Sequence, residues 1–328
     1  VLSADEIALH NIATGVIELS QKMVDGGSIS LPYPVALQRG LDKLAALKLL
    51  RGETPPTGVP DLLADWCRRP LATWGLVLEE GAIGDSDRLL DGQMPTRACE
   101  NWAVANPDVE AELEERTFMA GLFAMCQAKG RENMYTEVRR FLIEHPVLDS
   151  LEYLHLQSDQ GNSELGRHLA TAYQVVSPVH TLDGCFVCCK RCGNLLVRQD
   201  KNRLACENER CQHWSTAEGR RIPKSQIAYW LRRGLRRYIA DPGQTELQLF
   251  RAAQKRHLPC ELWPGDDAYD LRITLPNGEI WAVDVKDWAN PFLLARQVKP
   301  FRTNPPWTCA FFVFPDERRK QRADYLRA

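Results

Sequence analysis

The sequence contains no apolar run of about 18 residues or more, so no membrane-spanning helix is expected. It has no internal repeat and no low-complexity tract, so neither a repeat array nor a compositionally biased segment is expected. The opening residues, Val1-Leu2-Ser3-Ala4-Asp5-Glu6, lack the basic and then apolar order of a secretory signal. Histidine is scarce, 7 in 328 residues, and His10, His145, His155 and His168 stand alone. Isolated histidines on helices read as structural or exposed groups, not as ligands. Net charge is nearly absent, −2 at neutral pH.

The composition is that of an ordinary globular chain, 44% hydrophobic and 26% charged, and the length suggests two or three domains. The charge is unevenly divided. Residues 181–328 carry 26 Lys+Arg against 17 Asp+Glu, a balance of +9, and the remainder carries 15 against 26, a balance of −11. A basic C-terminal half joined to an acidic N-terminal half points to nucleic acid as a partner of the former alone. Eleven cysteines in a chain this long do not describe a secreted disulfide scaffold, so a reducing, cytoplasmic location is expected. Cys67, Cys99, Cys126, Cys260 and Cys309 are scattered and read as small core residues. The end, from Arg318 to Ala328, reads as a helix cut in mid-course.

Residues 1–175 read as an α-helical domain. Apolar spacing predicts helices over 4–23, 34–50, 60–67, 109–128, 134–145 and 163–175. Thr54-Pro55-Pro56-Thr57-Gly58 reads as a turn or linker. Trp66, Trp74 and Trp102 read as core or interface anchors. No catalytic constellation is visible here. The region is expected to serve as a scaffold or to dock a protein partner.

Residues 176–216 concentrate the remaining cysteines. Cys189-Lys190-Arg191-Cys192 is a CxxC knuckle; after thirteen intervening residues comes Cys206, and after four more intervening residues Cys211. Two such pairs present four thiolates, the tetrahedral set that Zn²⁺ takes at about 2.3 Å. The intervening Leu195–Arg198 and Arg203–Ala205 read as a hairpin, and the whole resembles a zinc ribbon with a structural ion. Cys185 and Cys188 form a second CxxC frame able to replace a member of the first pair, and His213 is an alternative to Cys211.

Residues 217–244 read as a basic helical connector. A helix over 225–239 would make Arg232 and Arg236, and Arg233 and Arg237, neighbours one turn apart, with Ile227, Leu231 and Leu235 as its apolar stripe. Together with Arg220, Arg221 and Lys224, these arginines are candidates for phosphate-backbone contact. The bland alternative is a solvated basic face.

The rest of the chain is organised around 246–297. Pro276-Asn277-Gly278 separates two runs rich in β-branched and apolar residues, the signature of a hairpin. With a three-residue loop, Leu275 faces Glu279 and Asp270 faces Asp284, with Cβ atoms about 4.5–5.5 Å apart. A one-residue slip would destroy the pairing. Two opposed carboxylates call for a cation between them, and hard oxygen donors suit Mg²⁺ or Mn²⁺. Lys286 lies on the same face as Asp284. Glu246, on a predicted helix, offers a third carboxylate. On an exposed edge strand, Asp alternating with Lys would be merely solvated. However, Trp281, Val283 and Val285 on one face and Ile280 and Ala282 on the other argue for a central, buried strand. Thr308–Phe314 reads as a further buried strand and Asp316 onward as a basic helix, giving a mixed sheet in an α/β core.

Glu246, Asp270 and Asp284-Val285-Lys286, in the order helix, hairpin, helix, resemble the PD-(D/E)xK nuclease superfamily of restriction endonucleases and Holliday-junction resolvases. The chain departs from that pattern in having Tyr269, not proline, before Asp270. The resemblance covers about 240–328. It implies that Asp270 and Asp284 hold the catalytic metal, that Lys286 is the motif lysine and that Glu246 is the acid of the first helix. Gln297, on a predicted helix over 291–298, is similar to a glutamine of resolvase-like members. The combination with a zinc ribbon also resembles restriction-endonuclease-related proteins of bacterial anti-phage modules, including those beside PIWI-like partners.

The expected protein is thus multidomain, α plus α/β: a helical domain over 1–175, a zinc ribbon over 176–216, a basic connector over 217–244 and a restriction-endonuclease-like domain over 245–328. The expected activity is metal-dependent hydrolysis of phosphodiesters, in DNA first and RNA second, in defence against foreign DNA. The alternatives are a non-catalytic nucleic-acid-binding adaptor with a degenerate nuclease fold, and a junction resolvase or repair nuclease.

Overall fold

A computed structural model describes residues 2–24, 29–105, 109–128, 134–158, 163–198, 204–208, 211, 218–288, 290–321 and 325. The chain is mixed α/β, with helices dominating the N-terminal region and sheets the C-terminal one. Among the described residues no helix is long and apolar enough to cross a membrane.

The first core forms where the amphipathic stripes of helices Ala4–Val24 and Val35–Leu50 meet. Leu9, Ile12, Leu37 and Leu44 are fully buried there, with Trp66, Trp74 and Trp102 packed in the same cluster. The Trp74 indole N–H donates to the Trp66 carbonyl at 3.0 Å, so the buried ring leaves no polar atom unsatisfied. A helix over Arg97–Ala105, which the sequence reading left out, packs on this core.

The N-terminal region is not purely helical. The predicted helix over 163–175 stops at Ala170, and Tyr173–Val175 is a strand. It joins Val147–Leu148 in a three-stranded sheet whose central strand is Tyr229–Leu231. The predicted helix over 225–239 is therefore corrected. Tyr229-Trp230-Leu231 is extended, and Arg232 precedes the helix that starts at Arg233. Arg232 and Arg236 are not neighbours on one helical face. From Arg233 the helix runs without a break to Lys255, through a π-helical turn at Arg236–Ala240.

The C-terminal sheet has the order Cys260–Leu262, Leu271–Thr274, Ile280–Val285, Cys309–Val313, the last pair parallel and the others antiparallel. Leu271 faces Val283 and Thr274 faces Ile280, the register expected from a three-residue loop. The Leu275 N–H donates to the Glu279 carbonyl at 2.8 Å, closing that loop. Gly278 holds φ +84°, where an L side chain would be strained. The strand Ile280–Val285 is internal to the sheet. Cys309–Val313, in contrast, is an edge strand with Phe311 40% exposed, not the buried strand expected.

This sheet does not make its own core. Leu271, Ile273 and Val283 join Phe118, Leu122, Leu142 and Ile143 in a single buried cluster. The seam is tight at Gly243, where an added Cβ would lie 2.3 Å from Ile143 Cδ1. That contact brings helix Asp241–Lys255 close against helix Met134–Glu144.

Candidate functional site

Asp270 and Asp284 meet as the hairpin register requires. Asp270, one residue before its strand, is 8% exposed, and its Oδ2 accepts the Val285 N–H at 2.6 Å. Burial, and then Glu246 and Asp284, push the Asp270 carboxyl well above the usual range, against Arg139 and the Val285 amide. Lys286 Nζ lies 2.7 Å from Asp284 Oδ2, both side chains about a quarter exposed, at 26% and 22%.

Glu246 is 2% exposed on helix Asp241–Lys255. Its Oε2 accepts the Trp263 indole N–H at 2.5 Å and lies 3.3 Å from Arg139 Nη2. Arg139 also reaches Asp267 Oδ2 at 2.5 Å and covers the Trp263 ring at 4.5 Å. Burial pushes the Glu246 carboxyl up, with Asp267 and Asp284 adding to it and Arg139 and Trp263 opposing. Trp263 and Asp267 both hold left-handed backbone, φ +48° and +63°, so this short turn stores strain beside the acids.

The acids line a cleft of about 220 Å³ that also takes Asp287, Trp288, Arg237 and Tyr238. Its remaining wall is a contribution the sequence reading missed. Arg97, Glu100 and Asn101, from the helix Arg97–Ala105, face the same space. Arg97 bonds Glu100 at 2.8 Å and the Asp287 carbonyl at 3.3 Å. Burial opposes ionisation of Glu100, but Arg97, Arg237 and Arg233 outweigh it and hold its carboxyl low. Asp287 directly follows the Asp-x-Lys triplet and pairs with Arg318 at 2.8 Å, both buried. Its position beside the triplet was a usable signal. Arg139 had none, because Glu246 and Asp267 lie more than 100 residues away, and the local Arg97–Glu100 pair gave no sign of Asp287, 190 residues on.

Gln297 is not brought to the cleft. Asn290 caps its helix by accepting the Leu293 N–H at 3.1 Å, and Pro291, Leu293 and Leu294 turn inward. Leu293 joins the N-terminal core, and Gln297, the last residue of the helix, is exposed.

The basic residues divide by burial. Arg220, Arg221, Lys224 and Arg232 are exposed, and Arg220 is held by Glu152 at 2.5 Å and the Val147 carbonyl at 2.9 Å. Arg236 and Arg237 are 2% and 7% exposed and so form no solvated face. Arg236 stacks on Trp230 at 3.6 Å and pairs with Glu207 at 3.0 Å.

Cys189, Cys192, Cys206 and Cys211 are all buried, with their sulfurs within 4.8 Å of one another. The knuckle is shaped by Gly193 N–H to the Cys189 carbonyl at 2.9 Å and Cys189 N–H to the Asn194 carbonyl at 2.7 Å. Donation from the other three thiols, Cys192 first, holds the Cys189 thiol far below its usual range. This set can bind a metal ion such as zinc. Cys188 is buried in a different cluster, because alternation along Cys185–Cys189 turns it to the other face. His213 lies outside the described residues. Among the described residues these cysteines alone converge this tightly.

Two regions match known families. Residues 8–149 match a family described as pPIWI_RE three-gene island domain Y, and residues 243–328 match one described as REase associating with pPIWI_RE. The chain is a restriction-endonuclease-related protein of a PIWI-associated island. No curated protein and no solved structure matches it. In this pPIWI_RE-associated protein the second match contains Glu246, Asp270, Asp284 and Lys286, while the first contributes Arg97, Glu100, Asn101 and Arg139. The cysteine set lies between the two. Membership in a multi-gene island implies partner proteins.

Proposed function

We propose that the cleft hydrolyses phosphodiester bonds in DNA and that the protein acts against foreign DNA together with a PIWI-like partner. The observation that carries this reading is the opposition of Asp270 and Asp284 beside Lys286. A buried carboxyl crowded by two more acids fits a divalent-cation site. Asp270 and Asp284 would hold the ion. When bound, Mg²⁺ or Mn²⁺ supplies Lewis-acid polarisation of a phosphoryl oxygen.

The protein's own groups do the rest. The Val285 amide fixes the Asp270 carboxylate. Glu246, immobilised by Trp263 and Arg139, adds negative charge beside Asp270 without being free to move. Lys286 orients the attacking water and stabilises charge on the phosphoryl group. Arg97 and Arg237 add positive charge along the same cleft. The four cysteines hold a structural Zn²⁺, and the helical region docks the partner.

The second reading is a nucleic-acid-binding adaptor that does not cut. The closed Lys286–Asp284 pair favours it. Incubation of the protein with supercoiled, linear duplex, single-stranded and branched DNA in Mg²⁺ or Mn²⁺ separates the two. Cleavage that disappears in Asp284→Ala and Lys286→Ala supports the nuclease. Salt-sensitive binding with no cleavage, unchanged in both variants and with the partner added, supports the adaptor.

A further inference from the structure

The cleft does not end at the carboxylates. Arg237 and Glu100 line both it and a neighbouring cavity of about 240 Å³. That cavity combines Arg233 and Arg236 with apolar Ile17, Met94 and Val197. Its carboxylates are already engaged. Glu100 accepts from Arg97 at 2.8 Å, Glu207 from Arg236 at 3.1 Å and Asp241 from Asn208 at 3.0 Å.

Arg237 is not balanced in this way. It is 7% exposed, and its Nη2 donates only to the neutral backbone carbonyl of Glu100. Its Nη1 is buried and has no hydrogen-bond partner among the described residues. Burial makes the charge harder to hold, with Arg233 and Arg97 adding to it and Glu100 and Tyr238 opposing. A buried guanidinium with an idle donor is costly unless a ligand brings the acceptor.

We infer that Arg237 forms an anion subsite that takes the phosphate of an unpaired nucleotide beside the carboxylate cleft. Both spaces fall below the roughly 300–1,000 Å³ of small-molecule pockets, so each admits about one nucleotide and no duplex. A guanidinium matches phosphate geometry, and the apolar wall offers a surface for a base. This rests on reading the cleft as a phosphodiesterase and specifies its substrate as a single strand or a frayed end.

The test is fluorescence anisotropy of the full chain with a 3′-labelled 12-nucleotide single strand and the blunt duplex of the same sequence, without divalent cation. The wild type is expected to bind the single strand at least tenfold more tightly. Arg237→Gln is expected to lose about tenfold on the single strand alone, with the salt slope reduced by about 0.7. Arg237→Lys, which cannot reach both the Glu100 carbonyl and a phosphate, is expected to lose about threefold and decides the matter if the glutamine variant does not fold. Equal affinity for the two DNAs, or unchanged affinity in the folded variants, overturns the inference. Cleavage of the same DNAs in Mg²⁺ is read separately. Arg237-dependent binding without any cleavage counts against the nuclease and leaves the subsite standing.

Discussion

Arg139 and Glu246 are 107 residues apart in the chain and 3.3 Å apart in space, and both are buried. The pair joins helix Met134–Glu144 to the helix that carries an acid of the cleft. Removing the arginine leaves Glu246 and Asp267 without their shared cation. Arg139→Met is expected to cost about 3–5 kcal/mol in chemical denaturation at pH 8. The loss should shrink toward pH 5, because an unpaired buried carboxyl takes a proton to escape its charge. A loss independent of pH would show that packing on Trp263, not charge, is what Arg139 provides.

Asp270 gives a pH dependence whose sign is fixed. Its folded carboxyl sits well above its ordinary value, so the native state holds a proton that the unfolded chain releases. Stability therefore falls as pH rises out of the ordinary carboxylate range. Asp270→Asn is expected to be more stable than the wild type at pH 8 by more than about 1 kcal/mol, and to lose that advantage near pH 4. Millimolar Mg²⁺ should stabilise the wild type at pH 8 and leave the variant unchanged. Thermal melts across pH, with and without the ion, measure both effects.

The cysteine cluster makes a compositional prediction. Purified protein should carry about one zinc per chain by plasma mass spectrometry, falling to about none in Cys192→Ser or Cys206→Ser. Cys188→Ser should keep its zinc, since that side chain belongs to the opposite face. Zinc retained in Cys192→Ser and lost in Cys188→Ser would mean that the other CxxC frame is the binding one.

What the sequence disclosed follows from the range of each signal. The register of Asp270 against Asp284 was readable because a two-residue period and a three-residue loop leave little freedom. Helices Ala4–Val24 and Val35–Leu50 were readable because their stripes are long. Tyr229–Leu231 was misread as helix because three apolar residues fit either period, and its partners lie at 147–148 and 173–175. The basic run around it suggested phosphate contact, or else a solvated face, yet Arg236 is buried against Trp230, which only the tertiary structure could show. Gln297 was placed by analogy, and it ends its helix exposed, outside the lining of the cleft. Arg97, Glu100 and Arg139 gave no sign of the cleft, because Asp287, Arg237, Asp267 and Glu246, which they meet there, come from the other end of the chain.

The tight seam between Gly243 and Ile143 has a consequence for how such a protein can change over generations. The two matched regions share one hydrophobic cluster and one cleft, so neither can be exchanged for a foreign counterpart without spoiling the other. A larger residue at 243 requires a smaller one at 143, and a lost arginine at 139 requires neutral residues at 246 and 267. The two ends of the chain are thus expected to be inherited together and to drift in step, as a single unit of descent.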